Sequence, residues 1–542
     1  MKKLLTLFMS LSIYFMGMAQ WNPAVDQNFL VTNPGGSSFA ETTSDGKTYI
    51  GFWKKVPAPV NFELWVQILD KDGNKQLGIN GVKISDQIPM GTYTVVERTA
   101  VDASDNFYIG VTGTGAGTPG YVFKITPQGT SVWPNGISLG EAYLPTILPL
   151  SNGDIVVGYF PSSQKYTKVQ KYNPSGQPLW ANPVQILSND TTKNTIPGDL
   201  FELMNDECEI IFHKQLSFGT TSYLFAQKIS LKDGSLLWDG AKQITTKSTA
   251  YNAKYSGAVD GNVVYYGFST GENMRFDGYL QRVNADSSLP WGNIGMDFDT
   301  NQTYFEKDMK IAFKSGSPYV WSIANYSTSS QGENGEFVQK FDKNTGARLF
   351  TNNAKQVFPV DNLSMYHYGG LQLVNDSPYF VVQKKEGTAL NISLNAVLLN
   401  GNGDFAWPQN YLPVATFPAS KAYISVLKPV NGQGVVVFQE NKGTENTGMG
   451  IYAQNLILPN GTMGTHELSG KGSHIKLYPN PAVDLIHIDG VKDQDFKIYN
   501  TTGQLIKTGT LKQGIAEVRD LVKGIYILKI KENEQGMKFI KK

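Results

Sequence analysis

Six carboxylates, Glu272, Asp277, Glu333, Glu336, Glu440 and Glu445, fall in polar stretches between apolar runs. Paired carboxylates can cleave a glycosidic bond, one as acid and the other as base or nucleophile, when the fold sets their separation. A solvated rim is the simpler reading of the same residues. Other reactive types offer less. Cys208 is the only cysteine and lies in the apolar run Cys208-Glu209-Ile210-Ile211-Phe212. That is the setting of a packed strand thiol, whereas a nucleophilic thiol needs electropositive, accessible surroundings. His213, His367, His466, His474 and His487 show no metal-ligand spacing. Asp70-Lys71-Asp72-Gly73-Asn74 begins like a calcium loop but lacks the later carboxylate. Gly115-Ala116-Gly117-Thr118-Pro119-Gly120 fits a nucleotide-binding glycine pattern, yet strand-like Tyr121 to Ile125 follows where a helix is required. No catalytic residue, cofactor or metal ligand is assigned.

A repeat must position whatever chemistry exists. Eight units about 55 residues long can be aligned on two turns. The first turn reads Ser44-Asp45-Gly46, Ser104-Asp105-Asn106, Ser151-Asn152-Gly153, Asn205-Asp206-Glu207, Asp260-Gly261-Asn262, Ser315-Gly316-Ser317, Asn375-Asp376-Ser377 and Asn431-Gly432-Gln433. The second turn is marked by Gly73, Gly129, Gly176, Gly234, Gly346, Gly403 and Gly461, with Ser287 standing in once. Four residues later comes an aromatic in six units: Trp133, Trp180, Trp238, Trp291, Phe350 and Trp407. Four strands per unit with tight hairpins match one blade of a β-propeller. Rings at one repeated position are read as packing between blades, and the recurring Gln67, Gln170, Gln227, Gln281, Gln339 and Gln454 as buried partners in the third strand.

The eighth unit lacks a fourth strand. Trp21-Asn22-Pro23-Ala24-Val25 resembles Trp180-Ala181-Asn182-Pro183-Val184, so the N-terminal strand is expected to complete that blade and leave no open edge. The expected fold is all-β: an eight-bladed β-propeller closed by the N-terminal strand, then a small Ig-like β-sandwich. The expected division is a signal peptide at 1–19, the propeller at 20–464, a linker at 465–474 and a C-terminal domain at 475–542.

Composition agrees with export and argues against nucleic acid. Lys2 and Lys3 precede an apolar segment that ends with Gly17 and Ala19, the pattern of a secretory signal. No later stretch reaches the ~20 apolar residues of a transmembrane helix. The tail from residue 471 carries 13 Lys/Arg against 8 Asp/Glu. With a whole-chain net charge of +1, the body is mildly acidic and has no basic stripe for phosphates.

Two resemblances extend this reading. Asp342-Lys343-Asn344-Thr345-Gly346-Ala347-Arg348-Leu349-Phe350 resembles the tryptophan-docking motif of quinoprotein alcohol dehydrogenase-like propellers, an eight-bladed family. The likeness implies the fold only, because one cysteine cannot supply the adjacent pair of that family's methanol dehydrogenases. Residues 475–542 resemble the type A C-terminal sorting domain of the Bacteroidetes type IX secretion system. The match rests on Tyr478-Pro479-Asn480-Pro481, Gly503, and Gly524 with Tyr526. It implies engagement of that secretion machinery and a protein that is secreted or outer-membrane-attached at the cell surface. The longer connections gather on one propeller face, the expected site for a glycan or protein ligand. The expected function is a binding or adhesion module. The alternative is a carbohydrate-active enzyme, a glycoside hydrolase or lyase, using acidic residues of that face.

Overall fold

Strand ends follow the turn chemistry. Asp70 shows how: its carboxylate accepts from the backbone N–H groups of Asp72 and Asn74 and from the side chains of Asn74 and Gln76. Such an Asx-type turn reverses the chain without help from a second element. The computed structural model describes residues 21–542 except 92–97, 189, 191, 217–220, 250–254, 273–274, 388–390, 443–448, 459–476, 489–490, 501–504 and 531–532. The signal segment, Glu445, Gly461, the linker, His466, His474 and Gly503 therefore lie outside the described residues.

The chain divides into two compact units, residues 1–462 and 463–542. The described residues of the first form antiparallel sheets, seven with four strands and one with five, giving a propeller-like, all-β body. In chain order they occupy residues 36–85, 98–141, 143–186, 194–243, 256–297, 305–361, 366–419 and 421–457. Six run as simple meanders, and in the seventh both Tyr366–His367 and Gln372–Val374 pair with Ser377–Lys385. The eighth takes its outer strand from Phe29–Thr32, which pairs with the strand Gly450–Ile457 through Phe29 opposite Ala453 and Leu30 opposite Tyr452.

That strand starts later than the sequence comparison suggests. Gln27 and Asn28 both donate their backbone N–H to the Ala24 carbonyl, so the chain turns after Val25 and the ladder begins at Phe29. Trp21 keeps the role of the repeated aromatic. Its indole N–H donates to the Lys71 carbonyl at 3.0 Å, and it covers Gly73 of the first sheet. A β-carbon on Gly73 would lie 2.9 Å from the Trp21 ring, and the residue sits at φ +84°. Only glycine meets both demands cheaply.

The same docking recurs between neighbours: Trp133 Nε1 donates to Pro174 O, and Trp238 Nε1 to Ala285 O. Trp180 packs on Gly234, Trp291 on Gly346 and Phe350 on Gly403, while Leu77 takes the aromatic's place on Gly129. Trp407 packs against the core shared by the seventh and eighth sheets. Behind Trp180, Trp238, Trp291 and Phe350 a buried glutamine ties the crossing chain down. Gln281 donates to Ile244 O and Gly292 O and accepts from Arg282 N; Gln339 donates to Thr351 O and accepts from Lys340 N and Phe350 N. Gln67, Gln170 and Gln227 repeat this bonding, and Gln454 accepts from Asn28.

The apolar cores lie between sheets. Phe107 and Ile109 of the second sheet pack with Tyr49 and Leu64 of the first, and equivalent clusters follow along the chain. One more joins the ends: Val31, Val435, Val437 and Ile451 pack with Ile50 and Phe52 of the first sheet. Cys208 sits fully buried in one of these cores, where burial pushes its thiol pKa up.

The second unit has its own core. One sheet contains Leu477–Tyr478, Leu485–Ile488 and Ile515–Glu517; the other contains Leu505–Thr510, Asp495–Asn500, Gly524–Ile530 and Asn533–Lys541. Ile486, Ile498, Ala516, Leu528 and Phe539 are buried between them. Asn480 fastens the entering chain to the last strand by donating to Lys538 O and accepting from Ile540 N. Tyr478 stacks on His487, and Tyr526 stacks on Phe539 while donating to Val522 O.

Candidate functional site

First strands of neighbouring sheets lie side by side: from the eighth sheet through the first and on to the sixth, each touches its neighbour's first strand. Most carry a bulge at one place. Register slips between Gly36 and Phe39, Tyr143 and Thr146, Pro197 and Asp199, Lys307 and Lys310, and Ala422 and Ser425. The residue after the first of each pair is Ser37, Leu144, Gly198, Asp308 or Tyr423. Ser37, Leu144, Asp308 and Tyr423 all lie at φ between 48° and 51°, an uncommon conformation for non-glycine residues. In the seventh sheet the ladder is interrupted between His367 and Gln372, and Tyr368, whose N–H still donates to Val381 O, lies at the start of that interruption. A bulge re-aims the side chain that follows it.

These bulge positions differ in chemistry from sheet to sheet. Three consecutive sheets supply Asp308, Tyr368 and Tyr423, whose exposures are 48%, 40% and 49%. The backbone brings them near one another, for His367 faces Asp308 at 3.5 Å and a β-carbon on Gly369 would lie 3.2 Å from the Ile424 carbonyl; burial raises the Tyr368 phenol pKa first, and the charge of Asp308 adds to it.

Behind Asp308 stands a buried ion cluster. His367 donates its backbone N–H to Glu336 Oε2 at 2.8 Å, and its Nδ1 lies 3.0 Å from both Glu336 oxygens. Its Nε2 faces Asp308 Oδ2 at 3.5 Å, and Lys310 bonds the other Asp308 oxygen. Burial opposes charge on the imidazole, but Glu336 and Asp308 outweigh it and hold the pKa up at about 9. For Asp308 too, burial is outweighed, by His367 and Lys310, and its carboxyl falls well below the usual range. Glu336 alone would be raised by burial; with His367 bonded to it three ways, we assign the charged pair.

A second acidic group sits between the fifth and sixth sheets. Tyr326 donates its hydroxyl to Asp299, Gly278 N–H donates to Glu306 Oε2 at 2.9 Å, and burial followed by Asp299 pushes the Glu306 carboxyl well up. Asp299 and Glu306 are both essentially closed to solvent. Asp297 is partly open, donated to by the Tyr279 hydroxyl at 3.3 Å, and held up at about 6 by burial against the pull of Arg348.

The five of the six loop carboxylates that lie among the described residues do not form one site. Glu336 belongs to the His367 cluster. Glu440 is buried between Lys421 at 2.6 Å and Lys442 at 3.0 Å, and Lys442 also donates to the carbonyls of Asp26 and Gln27, fastening the N-terminal segment. Glu272 accepts from Ser248 N and Lys247, Asp277 pairs with Arg275 at 2.6 Å, and Glu333 is exposed. Sequence reasoning missed Asp308, Tyr368 and Tyr423, whose shared signal is a fixed offset: Ser37, Leu144, Gly198, Asp308 and Tyr368 each precede the first residue of the first turn by seven positions, and Tyr423 by eight.

The described residues of the body are all-β and propeller-like. Comparisons with known proteins add the export route. Residues 476–542 match the family model described as the secretion system C-terminal sorting domain. The chain thus carries a type IX sorting signal and is secreted or attached at the cell surface. No helix among the described residues is long and apolar enough to cross a membrane. No curated protein matches the chain. Among solved structures it is similar to a PL25 polysaccharide lyase, an ulvan lyase, at 12% identity over 80% of this chain and 95% of that one, TM-score 0.41. It is also similar to PorZ, a surface component of the type IX secretion system of Porphyromonas gingivalis, at 12% identity over 93% and 59%, TM-score 0.35. A third is prolyl oligopeptidase B from Galerina marginata, at 9% identity over 75% and 55%, TM-score 0.43.

Proposed function

We propose that this protein is type IX cargo whose body is a closed eight-bladed β-propeller and whose axial mouth binds a ligand at the cell surface. The carrying observation is the trio Asp308, Tyr368 and Tyr423, open to solvent in three successive sheets. Closure is supported by the core that joins the last sheet to the first and by Trp21 docked on Gly73. The division at 20–464, 465–474 and 475–542, with an Ig-like sorting domain, is kept as part of the proposal. Burying aromatic surface is the largest gain a small contact patch can make, and two exposed rings beside one carboxylate suit binding. The acids deeper in the body are spent on one another and on His367, Lys310 and Tyr326.

The test compares the exported full-length protein with its Tyr368→Ala/Tyr423→Asn variant on immobilised glycans and surface proteins. Asn is chosen at 423 because it tolerates positive φ. Binding by the parent and at least a tenfold loss in the variant, at an unchanged denaturation midpoint, is expected; equal binding refutes the proposal. A catalytic reading is favoured by one observation, Asp297 at about 6, a value suited to proton transfer near neutrality. It requires polysaccharide cleavage that Asp297→Asn abolishes.

A further inference from the structure

From the charge balance around the axial mouth we infer that its ligand is a neutral saccharide, stacked on Tyr368 and Tyr423 with ring hydroxyls donating to Asp308. This rests on the proposal that the mouth is the binding site and adds the chemical class of what enters it.

Geometry fixes the charges. Nδ1 of His367 lies against the Glu336 carboxylate and Nε2 faces Asp308. With a carboxylate on each side the ring is held as an imidazolium, Nδ1 donating to Glu336 and Nε2 facing Asp308 without a hydrogen bond of its own. Lys310 supplies the second positive charge through its bond to Asp308. Two carboxylates thus meet two cations in one buried group. Lys307, next along the strand, is turned to Gln331 and Asn334.

Three ligand classes can be separated on that basis. A cation gains little, because the negative charge it would meet is already balanced, which weakens the usual case for a tyrosine-walled cation cage. An anionic sugar meets no net charge either, and its carboxylate or sulfate would face the open lone pairs of Asp308, acceptor against acceptor with no proton between them. A neutral sugar suffers neither cost. Asp308 has about four acceptor positions and Lys310 occupies one of them, leaving about three for hydroxyl donors. The flanking tyrosine faces supply apolar area for the C–H side of a pyranose. Because Lys310 and His367 hold the carboxylate in place, a ligand need not order it, and preorganisation lowers the cost of binding.

The experiment is calorimetric titration of the full-length exported chain with neutral hexasaccharides (β-1,4-glucan, β-1,3-glucan, β-galactan, α-mannan), a hexagalacturonate and a hexalysine peptide. The variants are Asp308→Asn, which keeps shape and tolerates positive φ, Tyr423→Asn and Tyr368→Ala. Expected is saturable binding of at least one neutral hexasaccharide, weakened tenfold or more by each variant, with the denaturation midpoint unchanged in Tyr423→Asn and Tyr368→Ala. Binding confined to hexagalacturonate or hexalysine, and lost in Tyr423→Asn, overturns the neutral-sugar inference and leaves the mouth as the site. Neutral-sugar binding indifferent to all three variants overturns the site as well. No binding of any neutral hexasaccharide by the parent overturns the inference.

Discussion

A disulfide across the seam between the chain's two ends gives closure a measurable size. Phe29, Ala453 and Val437 stand in one row across three strands, Phe29 opposite Ala453 and Ala453 opposite Val437. Phe29→Cys with Ala453→Cys would link the N-terminal strand to the eighth sheet and close a loop of about 424 residues, which the chain-entropy relation converts to about 6 kcal/mol. Val437→Cys with Ala453→Cys bridges two strands of the same hairpin, a loop of about 16 residues worth about 3 kcal/mol. Both pairs share one substituted position, and each protein is compared with itself, oxidised against reduced, so the lost Phe29 ring cancels. The native thiol of Cys208 does not compete, since it is fully buried in a strand core.

The assay is guanidinium unfolding of each oxidised and reduced pair, with bridge formation checked by mobility on a non-reducing gel. The long bridge should raise stability by about twice as much as the short one. Failure of the long bridge to form, or a gain no greater than that of the hairpin control, would show that Phe29–Thr32 does not hold the seam in solution, and the closed ring would fall with it.

Two further outcomes test the interior. Gln281→Leu removes bonds to Ile244 O, Gly292 O and Arg282 N, leaving buried backbone groups unpaired. It should cost about 2–3 kcal/mol in denaturant unfolding; a loss under about 1 kcal/mol would mean that water replaces the side chain. His367 makes stability depend on pH in the alkaline direction. Its folded pKa of about 9 lies above the ordinary unfolded value of about 6.5, so its stabilisation is complete below about 6.5 and lost as pH rises through about 9. The difference amounts to about 3 kcal/mol, and His367→Gln should flatten that decline; parallel pH profiles for parent and variant would refute the charged pair.

Periodicity made the body readable. Turn glycines and aromatics recur because each docking contact repeats, so Trp133 on the Gly176 turn and Trp180 on the Gly234 turn follow from spacing alone. Trp21 was readable for the same reason, but its strand was not. Trp180 leads directly into Val184–Ile186, whereas after Trp21 the chain turns on the Ala24 carbonyl before pairing at Phe29, an insertion that the five-residue likeness hides. The axial trio was harder still. Lys307-Asp308-Met309, His367-Tyr368-Gly369 and Ala422-Tyr423-Ile424 share no motif, since a bulge is specified by backbone pairing and accepts many side chains. What they share is distance from a turn, a quantity fixed by the sheet. Variation in residue type at a geometrically fixed place is what a ligand site on a repeat scaffold should display: the scaffold holds the position constant while each sheet presents different chemistry. The loop carboxylates misled for the converse reason. Glu336 and Glu440 have the right type for catalysis, but His367 in one case and Lys421 with Lys442 in the other draw them inward, and a charge so paired holds the fold together rather than meeting a substrate.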